Sequence, residues 1–336
     1  MVDTSEPFTP LPRPSAPPTL RTAPLRLVFF GTPHFAVPSL EQLIQSRNQV
    51  VGVVTQPDRR RGRGQRVMDS PVKAAALAHQ IPVFQPDRLR EPSVGSMLSS
   101  LTPDLGVVAA YGKLIPESLL RLPRLGMINV HASLLPRYRG AAPVQRAVID
   151  GEPETGVTIM RMVAALDAGG MFAKVTRPVG ADETSDVVER DLANLGAALL
   201  ITVIEELAAG RAVEEPQDEA LSTYASKVTR EEGLVDWTLP PGDIHNRVRG
   251  LYPWPHAFTY LNGERLILLR THVLLAPAAE SPGTIVDAAG GVFHVATGQA
   301  GRLAIEELQP EGRRAMKVRE YLAGHSIQPG ARFGNR

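Results

Sequence analysis

Short apolar runs alternate with helix-like stretches over the first two thirds of the chain. The apolar runs predict β-strands at residues 25–30, 49–55, 82–84, 105–110 and 127–130. The stretches between them predict helices at 37–47 and 70–79. Continuous apolar strands separated by helices are typical of a parallel sheet that is covered on both faces. The pattern therefore predicts a doubly wound, Rossmann-like α/β domain, in which ligands bind beyond the carboxyl ends of the strands.

The turn after the first strand is where a dinucleotide-binding sheet carries a glycine-rich fingerprint. Here the residues are Gly31-Thr32-Pro33-His34-Phe35, which do not fit the pattern G-x-G-x-x-G. Pro33 also lacks the backbone N–H that a pyrophosphate group would need. These residues argue against a nicotinamide-dependent oxidoreductase, although the sheet of such an enzyme would look alike.

The pattern changes in the second half of the chain. A strand is predicted at 156–162 with a partner at 174–177, and a long helix follows at 184–209, which Gly210 would end. Residues 212–230 are polar and acidic, which is typical of a linker. Short β-rich stretches at 266–269, 283–286 and 291–295 then predict a small OB-like β-barrel. We therefore expect a first domain at 25–211, a linker at 212–229 and a second domain at 230–336.

Residues 1–24 are rich in Pro, Ser and Thr and contain few bulky apolar side chains. Such a segment cannot bury enough apolar surface to offset the entropy lost on ordering, so we expect a disordered tail. A targeting peptide is the alternative. However, Asp3 and Glu6 lie early, only Arg13 and Arg21 are basic, and no amphipathic helix is visible.

Composition narrows the class of protein. The formal net charge is only +1, so an anionic partner would have to be bound by local clusters of charge. The chain contains no cysteine, which excludes disulfides, thiolate metal sites and a cysteine nucleophile. Its longest apolar stretch, 195–207, is shorter than the roughly 20 residues of a membrane-spanning helix. We expect a soluble, cytoplasmic monomer without membrane contact.

Two polar side chains lie at the end of the last predicted strand of the first sheet. Asn129 and His131 alternate with Val130, so both leave the same face of the strand. The carboxyl end of a strand is where this class of sheet places its ligands. A lone strand-end histidine often only satisfies backbone groups. The pair, followed by an unusual Ser-Leu-Leu-Pro loop at 133–136, favours a catalytic base beside a neutral donor.

Asp167 lies in a glycine-rich turn after the next predicted strand. A carboxylate that accepts a hydrogen bond from His131 would fix its tautomer and raise its basicity. Taken alone, an aspartate in such a turn is usually only part of the turn's own hydrogen bonding.

These residues resemble the signature of the folate-dependent formyltransferases. The run that carries the resemblance is Asn129-Val130-His131-Ala132-Ser133-Leu134-Leu135-Pro136-Arg137-Tyr138-Arg139-Gly140, together with Leu166-Asp167-Ala168-Gly169. Further motifs of the family lie along residues 25–332, among them Phe30-Gly31-Thr32-Pro33, Thr55-Gln56-Pro57-Asp58, Ser70-Pro71-Val72-Lys73, Tyr224-Ala225, Asp236-Trp237 and Pro253-Trp254-Pro255. A match of this extent is far more specific than any single motif.

The resemblance implies formyl transfer, in which an amine attacks the carbonyl carbon of 10-formyltetrahydrofolate. Asn129 would donate a hydrogen bond to the oxygen that gains negative charge. His131 would stabilise the same charge or take the proton from the amine, and Asp167 would orient His131. No metal is implied, and the sequence contains no cluster with metal-ligand spacing.

The resemblance also assigns the folate pocket, which would be lined by Ser133, Leu134, Leu135 and Pro136. The chain departs from the family at Gly170, where an acidic residue is common after the glycine that corresponds to Gly169. This departure removes any secondary role for an acid at that position, but not the role of Asp167.

The acceptor differs within the family, and is a glycinamide nucleotide, an amino sugar or methionine esterified to initiator tRNA. A glycine-interrupted loop is expected near the active edge and carries five arginines, Arg59, Arg60, Arg61, Arg63 and Arg66. Arginines on a loop can contact phosphates or base edges, although a basic loop is often merely solvated. The resemblance places this loop against the acceptor stem, and so implies initiator methionyl-tRNA as the partner.

The second domain favours the same acceptor. A small-molecule formyltransferase needs no added barrel, whereas barrels of this type often bind nucleic acid. The domain's charge is nearly balanced, but basic residues cluster at Arg313, Arg314 and Lys317, with Arg319 beside them. This cluster would bind tRNA only if its side chains share a face.

Three alternatives remain open. A sugar or small-amine formyltransferase would work without RNA and would be indifferent to salt. A non-catalytic RNA-binding protein with the same fold would have no need of Asn129, His131 and Asp167 together. A hydrolase that releases formate from the folate would not need an RNA-binding domain.

Overall fold

The computed structural model describes residues 23–61 and 66–334 of the chain. In these ranges, ten strands precede residue 180: β1 (Arg26–Gly31), β2 (Gln49–Val54), β3 (Arg59–Arg61), β4 (Arg66–Met68), β5 (Val83–Phe84), β6 (Leu105–Ala109), β7 (Met127–His131), β8 (Arg139–Gly140), β9 (Glu154–Arg161) and β10 (Met171–Pro178). The helices of this part are α1 (Val37–Gln45), α2 (Pro71–Ala78), α3 (Pro92–Ser100), α4 (Glu117–Leu120), α5 (Pro143–Ile149) and α6 (Ser185–Ala208). The predicted N-terminal tail lies outside the described residues, except for residues 23 and 24.

Seven of these strands form one sheet in the order β10-β9-β7-β6-β1-β2-β5. β5, β2, β1, β6 and β7 run parallel, which confirms the doubly wound α/β sheet. β9 is antiparallel to β7, and β10 is antiparallel to β9, so the sheet is mixed at this edge rather than wholly parallel. The direction of a strand depends on the connection that precedes it, and the apolar pattern of the strand does not contain this information.

Alternate residues of β1 face two separate apolar cores. Leu27 and Phe29 pack with α1, α2 and α6 on one face of the sheet. Val28 and Phe30 pack with α3 and α4 on the other face. Because both faces are covered, successive positions in the middle of β1 are all apolar, which accounts for the continuous apolar runs in the sequence.

The second domain is a curled antiparallel sheet. Its elements, with a short strand that precedes it, are β11 (Tyr224–Ala225), α7 (Pro241–Gly250), β12 (Ala257–Leu261), β13 (Glu264–Leu274), β14 (Ile285–Asp287), β15 (Phe293–Ala296), β16 (Arg302–Pro310), β17 (Met316–Lys317) and α8 (Val318–Leu322). The strand order is β12-β13-β16-β15-β14, with β17 on β16. The predicted small barrel is confirmed as this curled sheet, whereas β12, β16, β17, α7 and α8 were not predicted.

The last residues of the described chain join the two edges of the curled sheet. Gly334 and Tyr260 of β12 exchange backbone hydrogen bonds, and Ile285 of β14 donates to the carbonyl of Ala331. Phe333 stacks on Trp237 inside the sheet, with ring centroids 5.3 Å apart. The C-terminal segment therefore contributes both to the closure of the curl and to its core.

The stretch predicted as a linker is folded onto the first domain. It contains a short 3-10 helix, Glu219–Leu221, and the strand β11, which pairs in parallel with β8. Val228 already belongs to the core of the second domain. The stretch is therefore a structured connector with an exposed polar surface rather than a free linker.

The arginine-rich stretch forms a two-stranded hairpin rather than a loop without structure. β3 pairs antiparallel with β4, with Arg61 opposite Arg66. Arg63 lies outside the described residues. In the part of the chain that the structure describes, no helix has the length and apolar character needed to cross a membrane.

Candidate active site

Asn129 and His131 lie at the carboxyl end of β7, which is an interior strand of the sheet between β9 and β6. Val130 between them packs into the core with α6, so both polar side chains point to the opposite face, as predicted. Asn129 is half-buried and lies opposite Met160 of β9. Among the described residues, its carboxamide has no hydrogen-bond partner. Its two N–H groups are therefore available to a ligand.

The ring of His131 is fixed by a backbone carbonyl. Nε2 of His131 lies 2.9 Å from the carbonyl oxygen of Tyr138, and the side chain is only 5% exposed. A carbonyl oxygen can only accept, so Nε2 carries the hydrogen of this bond. In the neutral ring Nδ1 then has the lone pair, and this nitrogen is the one that can accept a proton.

Asp167 lies beside His131 but does not bond to it. Oδ2 of Asp167 is 3.7 Å from Nδ1 of His131, beyond hydrogen-bond distance. The same oxygen accepts a 2.9 Å hydrogen bond from the backbone N–H of Gly140. The structure thus brings together the three residues predicted as catalytic, while the orienting hydrogen bond expected from Asp167 is replaced by the carbonyl of Tyr138.

The loop at 133–136 is held together by its own polar groups. The hydroxyl of Ser133 donates to the carbonyl of Arg137 at 2.6 Å, and the hydroxyl of Thr158 donates to the carbonyl of Ser133 at 2.7 Å. Ser133 is fully buried and Leu135 is 1% exposed, packed against Met160 and Met171. Of the four residues predicted to line the folate pocket, these two support the loop. The other two, Leu134 and Pro136, are half-buried.

Tyr138 was not predicted as a site residue, although it lies within the signature run. Its backbone is left-handed, with φ +60, and its hydroxyl donates to Asp150 and Glu152, each at 2.9 Å. Burial, with these two carboxylates, raises the pKa of Tyr138 far above its ordinary value, so the hydroxyl stays protonated. The buried side chain anchors the segment whose carbonyl holds His131.

Residues 212–226, which we call the connector because they lead to the second domain, run along the outer side of this site. Thr223 accepts the backbone N–H of Tyr138 on its hydroxyl at 2.8 Å, and its carbonyl accepts the N–H of Arg139 at 2.9 Å. Glu219 forms an ion pair with Arg139, and Gln217 bonds to the loop that carries Asp167. These residues lie far from the signature in sequence, and no pattern there indicated that they reach it.

Gly170, where the family often has an acid, lies against this connector. A Cβ atom at Gly170 would be 2.9 Å from Oε2 of Glu214, whose other carboxylate oxygen bonds to Arg161. An acidic side chain is therefore present at this position in space, and it comes from Glu214 rather than from residue 170.

A second polar cluster holds the base of the arginine hairpin. Nζ of Lys73 bonds to Asp58, just before β3, at 2.5 Å, and to Asp69, just after β4, at 2.8 Å. The hydrogen bond from Lys73 lowers the pKa of Asp58, with a further bond from Gln85. Lys73 therefore ties both ends of the hairpin to the start of α2.

The basic cluster of the second domain lies on one hairpin. Arg313 and Arg314 occupy the turn between β16 and β17, Lys317 ends β17, and all three side chains are exposed. Arg314 makes a loose contact with Glu320 at 3.4 Å. Across residues 23–61 and 66–334, no group of three or more histidine or acidic side chains is arranged to hold a metal ion.

Comparison with known proteins assigns the family. The model of the formyl transferase family matches residues 25–204, and the model of the formyl transferase C-terminal domain matches residues 227–326. The chain therefore belongs to the formyl transferase family.

Within that family the chain is similar to proteins named methionyl-tRNA formyltransferase. It is 46% identical over 312 residues to that of Geobacter sulfurreducens, covering 93% of this chain and 98% of the relative. It is 47% identical over 310 residues to that of Pelobacter propionicus, covering 92% and 96%. Among solved structures, the sugar 3N-formyl transferase WlaRD has the same fold, with a TM-score of 0.64 and 16% identity, over 86% of this chain and 99% of WlaRD.

Proposed function

We propose that this protein transfers the formyl group of 10-formyltetrahydrofolate to the free amino group of methionine on initiator methionyl-tRNA, for the initiation of translation. The observation that carries the proposal is the similarity to proteins of that name over both domains, at 46% identity and 93% of the chain. The grouping of Asn129, His131 and Asp167 at the carboxyl end of the sheet supports it independently.

Asn129 supplies the electrostatic part of the reaction. When the amine attacks the formyl carbon, a new C–N bond forms and the formyl oxygen gains negative charge. The free N–H groups of Asn129 donate to this oxygen from a half-buried position, where such a bond is stronger than in water. The bond from the formyl carbon to N10 of the folate then breaks, and N10 receives a proton.

His131 moves the proton. With Nε2 committed to the carbonyl of Tyr138, Nδ1 accepts the proton that the attacking amine loses, and returns it to N10. The carboxylate of Asp167, 3.7 Å from Nδ1, stabilises the charged ring while it holds that proton.

The folate is placed in the cleft beside the loop at 133–136. Leu134 and Pro136 are half-buried and offer apolar surface, while the fully buried Ser133 keeps the loop in shape. This division of roles among the four residues supports a pocket that is formed before the substrate binds.

The acceptor is proposed to be tRNA because the chain carries basic residues at two places outside the catalytic cleft. Arg59, Arg60, Arg61 and Arg66 belong to the hairpin between β2 and α2, and Arg313, Arg314 and Lys317 to the second domain. Arg63 belongs to the same arginine-rich stretch of the sequence and lies outside the described residues. Contacts to phosphate release counterions, so we expect binding of charged tRNA to weaken steeply with salt. The cytoplasmic location, the monomeric state and the domain boundaries remain predictions.

The test is a formylation assay with the purified full-length chain. The protein is incubated with 10-formyltetrahydrofolate and methionyl-initiator tRNA, and formylmethionyl-tRNA is measured. An amino-sugar nucleotide and a reaction without acceptor serve as parallel arms. Formylation of the tRNA supports the proposal. Turnover of the amino sugar, or release of formate without an acceptor, combined with inactivity on the tRNA, overturns it.

A further inference from the structure

Gln217 differs from its neighbours in the acidic connector. Residues 213–220 are exposed except for Gln217, which is half-buried. Its Nε2 donates to the backbone carbonyls of Asp167 at 2.7 Å and Gly169 at 2.8 Å. Its Oε1 accepts from Nε and Nη2 of Arg139 at 3.0 and 2.8 Å. A carboxamide has two N–H donors and two acceptor positions, so all of them are used.

The two donated bonds attach Gln217 to both ends of the turn at 167–169. Asp167 has φ +48, a left-handed conformation that a non-glycine residue keeps only when its surroundings impose it. Gly169 packs so closely on the end of β9 that a Cβ atom there would lie 2.0 Å from the carbonyl oxygen of Arg161. Gln217 bonds to the backbone at both positions, one of which carries the Asp167 carboxylate.

The two hydrogen bonds that Gln217 accepts connect it to the segment on the other side of the Asp167 carboxylate. Arg139 is bound to Gln217 and precedes Gly140, whose N–H donates to Oδ2 of Asp167 at 2.9 Å. One side chain from the connector therefore links the backbone that carries Asp167 to the segment that holds its carboxylate.

We propose that Gln217 is a positioning residue for formyl transfer, which holds the Asp167 carboxylate beside His131 by fixing the loop at 167–169 against Arg139. The inference rests on the proposed function. It makes the connector to the second domain a part of the catalytic geometry rather than a tether.

The variant Gln217→Glu separates the bonds donated to the loop from the bonds accepted from Arg139. The carboxylate keeps its acceptors for Arg139, but in place of the N–H groups it presents an oxygen that the carbonyls of Asp167 and Gly169 repel. The loop contacts are therefore lost while the contact with Arg139 stays. We expect kcat to fall about ten- to a hundred-fold, as for other displacements of a catalytic group by about 1 Å, while KM for both substrates stays nearly unchanged. Gln217→Met, which removes all four bonds at similar size, should lose at least as much.

Asp218→Asn is the matched control. It replaces a carboxylate by a carboxamide at the residue after Gln217. The Asp218 side chain is exposed, and among the described residues its hydrogen bond is to the N–H of Ala220. This variant should retain the wild-type rate. The thermal midpoint of each variant, measured alongside, checks that the fold is intact.

Two further measurements decide whether Gln217 acts through Asp167. In an Asp167→Ala background, Gln217→Glu should cause little additional loss, because residues that act as one unit are not additive. Hydrogen exchange should accelerate in a peptide that covers residues 165–170, and should be unchanged in β13. Unchanged exchange at 165–170, or a full additional loss in the Asp167→Ala background, overturns the inference. The hydrogen-exchange measurement needs no acceptor substrate. It therefore tests the inference even if the wild-type protein fails to formylate the tRNA. That failure would overturn only the proposed function.

Discussion

Nδ1 of His131 and Oδ2 of Asp167 lie 3.7 Å apart, close enough for charge to act but too far for a hydrogen bond. The ring is fixed instead by the hydrogen bond that Nε2, the opposite nitrogen, donates to the carbonyl of Tyr138. In the mechanism proposed above, orientation and charge stabilisation are therefore divided between two residues. The carbonyl of Tyr138 would orient the ring, and the carboxylate of Asp167 would stabilise it when it becomes charged.

Asp167→Asn tests this division. The carboxamide oxygen keeps the bond to the N–H of Gly140, so the loop stays in place, but the negative charge beside His131 is lost. We expect kcat to fall on the order of a hundred-fold, with the thermal midpoint nearly unchanged. A wild-type rate at saturating substrates would show that the charge of Asp167 has no part in the reaction.

Gly140→Ala tests the contact between β8 and the connector. Gly140 has φ +118, and a Cβ atom there would lie 2.7 Å from the ring of Tyr224 and 2.8 Å from the carbonyl oxygen of Ala225. The strands must separate, which moves the N–H that holds Asp167, so kcat should fall by roughly ten-fold or more.

Gly210→Ala is the control for that substitution. Gly210 also has a positive φ, of +67, but a Cβ atom there would meet no other atom within 4 Å. Both substitutions place an L side chain at positive φ, but Gly210 lies in the left-handed region that other residues can adopt, whereas Gly140 lies outside it and also meets the connector. The Gly210 variant should show a slightly lower thermal midpoint and full activity. Equal activity of the two variants would contradict the role given to the β8–β11 pairing.

Lys73→Met tests whether the arginine hairpin needs its clamp. Lys73 bonds to Asp58 at one end of the hairpin and to Asp69 at the other. Without it the hairpin is less well fixed and two acids lose their counter-charge, so KM for tRNA should rise by up to about five-fold. Lys73→Arg, which keeps the charge, should recover most of the affinity. An equal rise in KM for the folate would show that the effect is not specific to the acceptor.

Glu232→Gln tests the link between α5 and the start of the second domain. The hydrogen bonds from Arg146 lower the pKa of Glu232, against the effect of burial. A carboxyl group whose pKa is lowered by folding stabilises the protein fully when the pH is above the unfolded-state pKa of about 4.3. This stabilisation is lost as the pH falls through the lower, folded-state pKa. The thermal midpoint of the variant should therefore be about 1–3 °C below wild type at pH 7, and this difference should shrink below a pH of about 4.

The exposed Glu205 provides the comparison for this pH series. Glu205→Gln should match wild type throughout. A difference for Glu232→Gln that stays constant from neutral to acidic pH would show that the ion pair with Arg146 is not its source.

The parts of the site that lie on regular structure were predictable from the sequence. The apolar run of β7 predicts the strand, its period of two places Asn129 and His131 on one face, and the sheet topology places that face at a ligand site. The antiparallel direction of β9 was not predictable, because an apolar strand buried on both faces reads alike in either direction.

The parts that depend on single long-range contacts were not predictable. Tyr138 acts through its carbonyl, which every residue has, so its side chain does not reveal the role. Gln217 lies in a polar, acidic stretch that indicates a solvated linker, and one half-buried residue among exposed ones leaves no periodic pattern. The contacts of Gln217 form where the connector lies against Arg139 of β8, and this docking is a property of the folded chain.

The measurement that tests the central claim most directly is single-turnover formylation of methionyl-initiator tRNA by the wild-type protein and by Asn129→Ala. The wild-type protein should convert the bound tRNA to formylmethionyl-tRNA. The variant, with unchanged tRNA binding and thermal midpoint, should be slower by about a hundred- to a thousand-fold, because one donor to the developing negative charge is lost. Formylation by Asn129→Ala at the wild-type rate would contradict the account of the site.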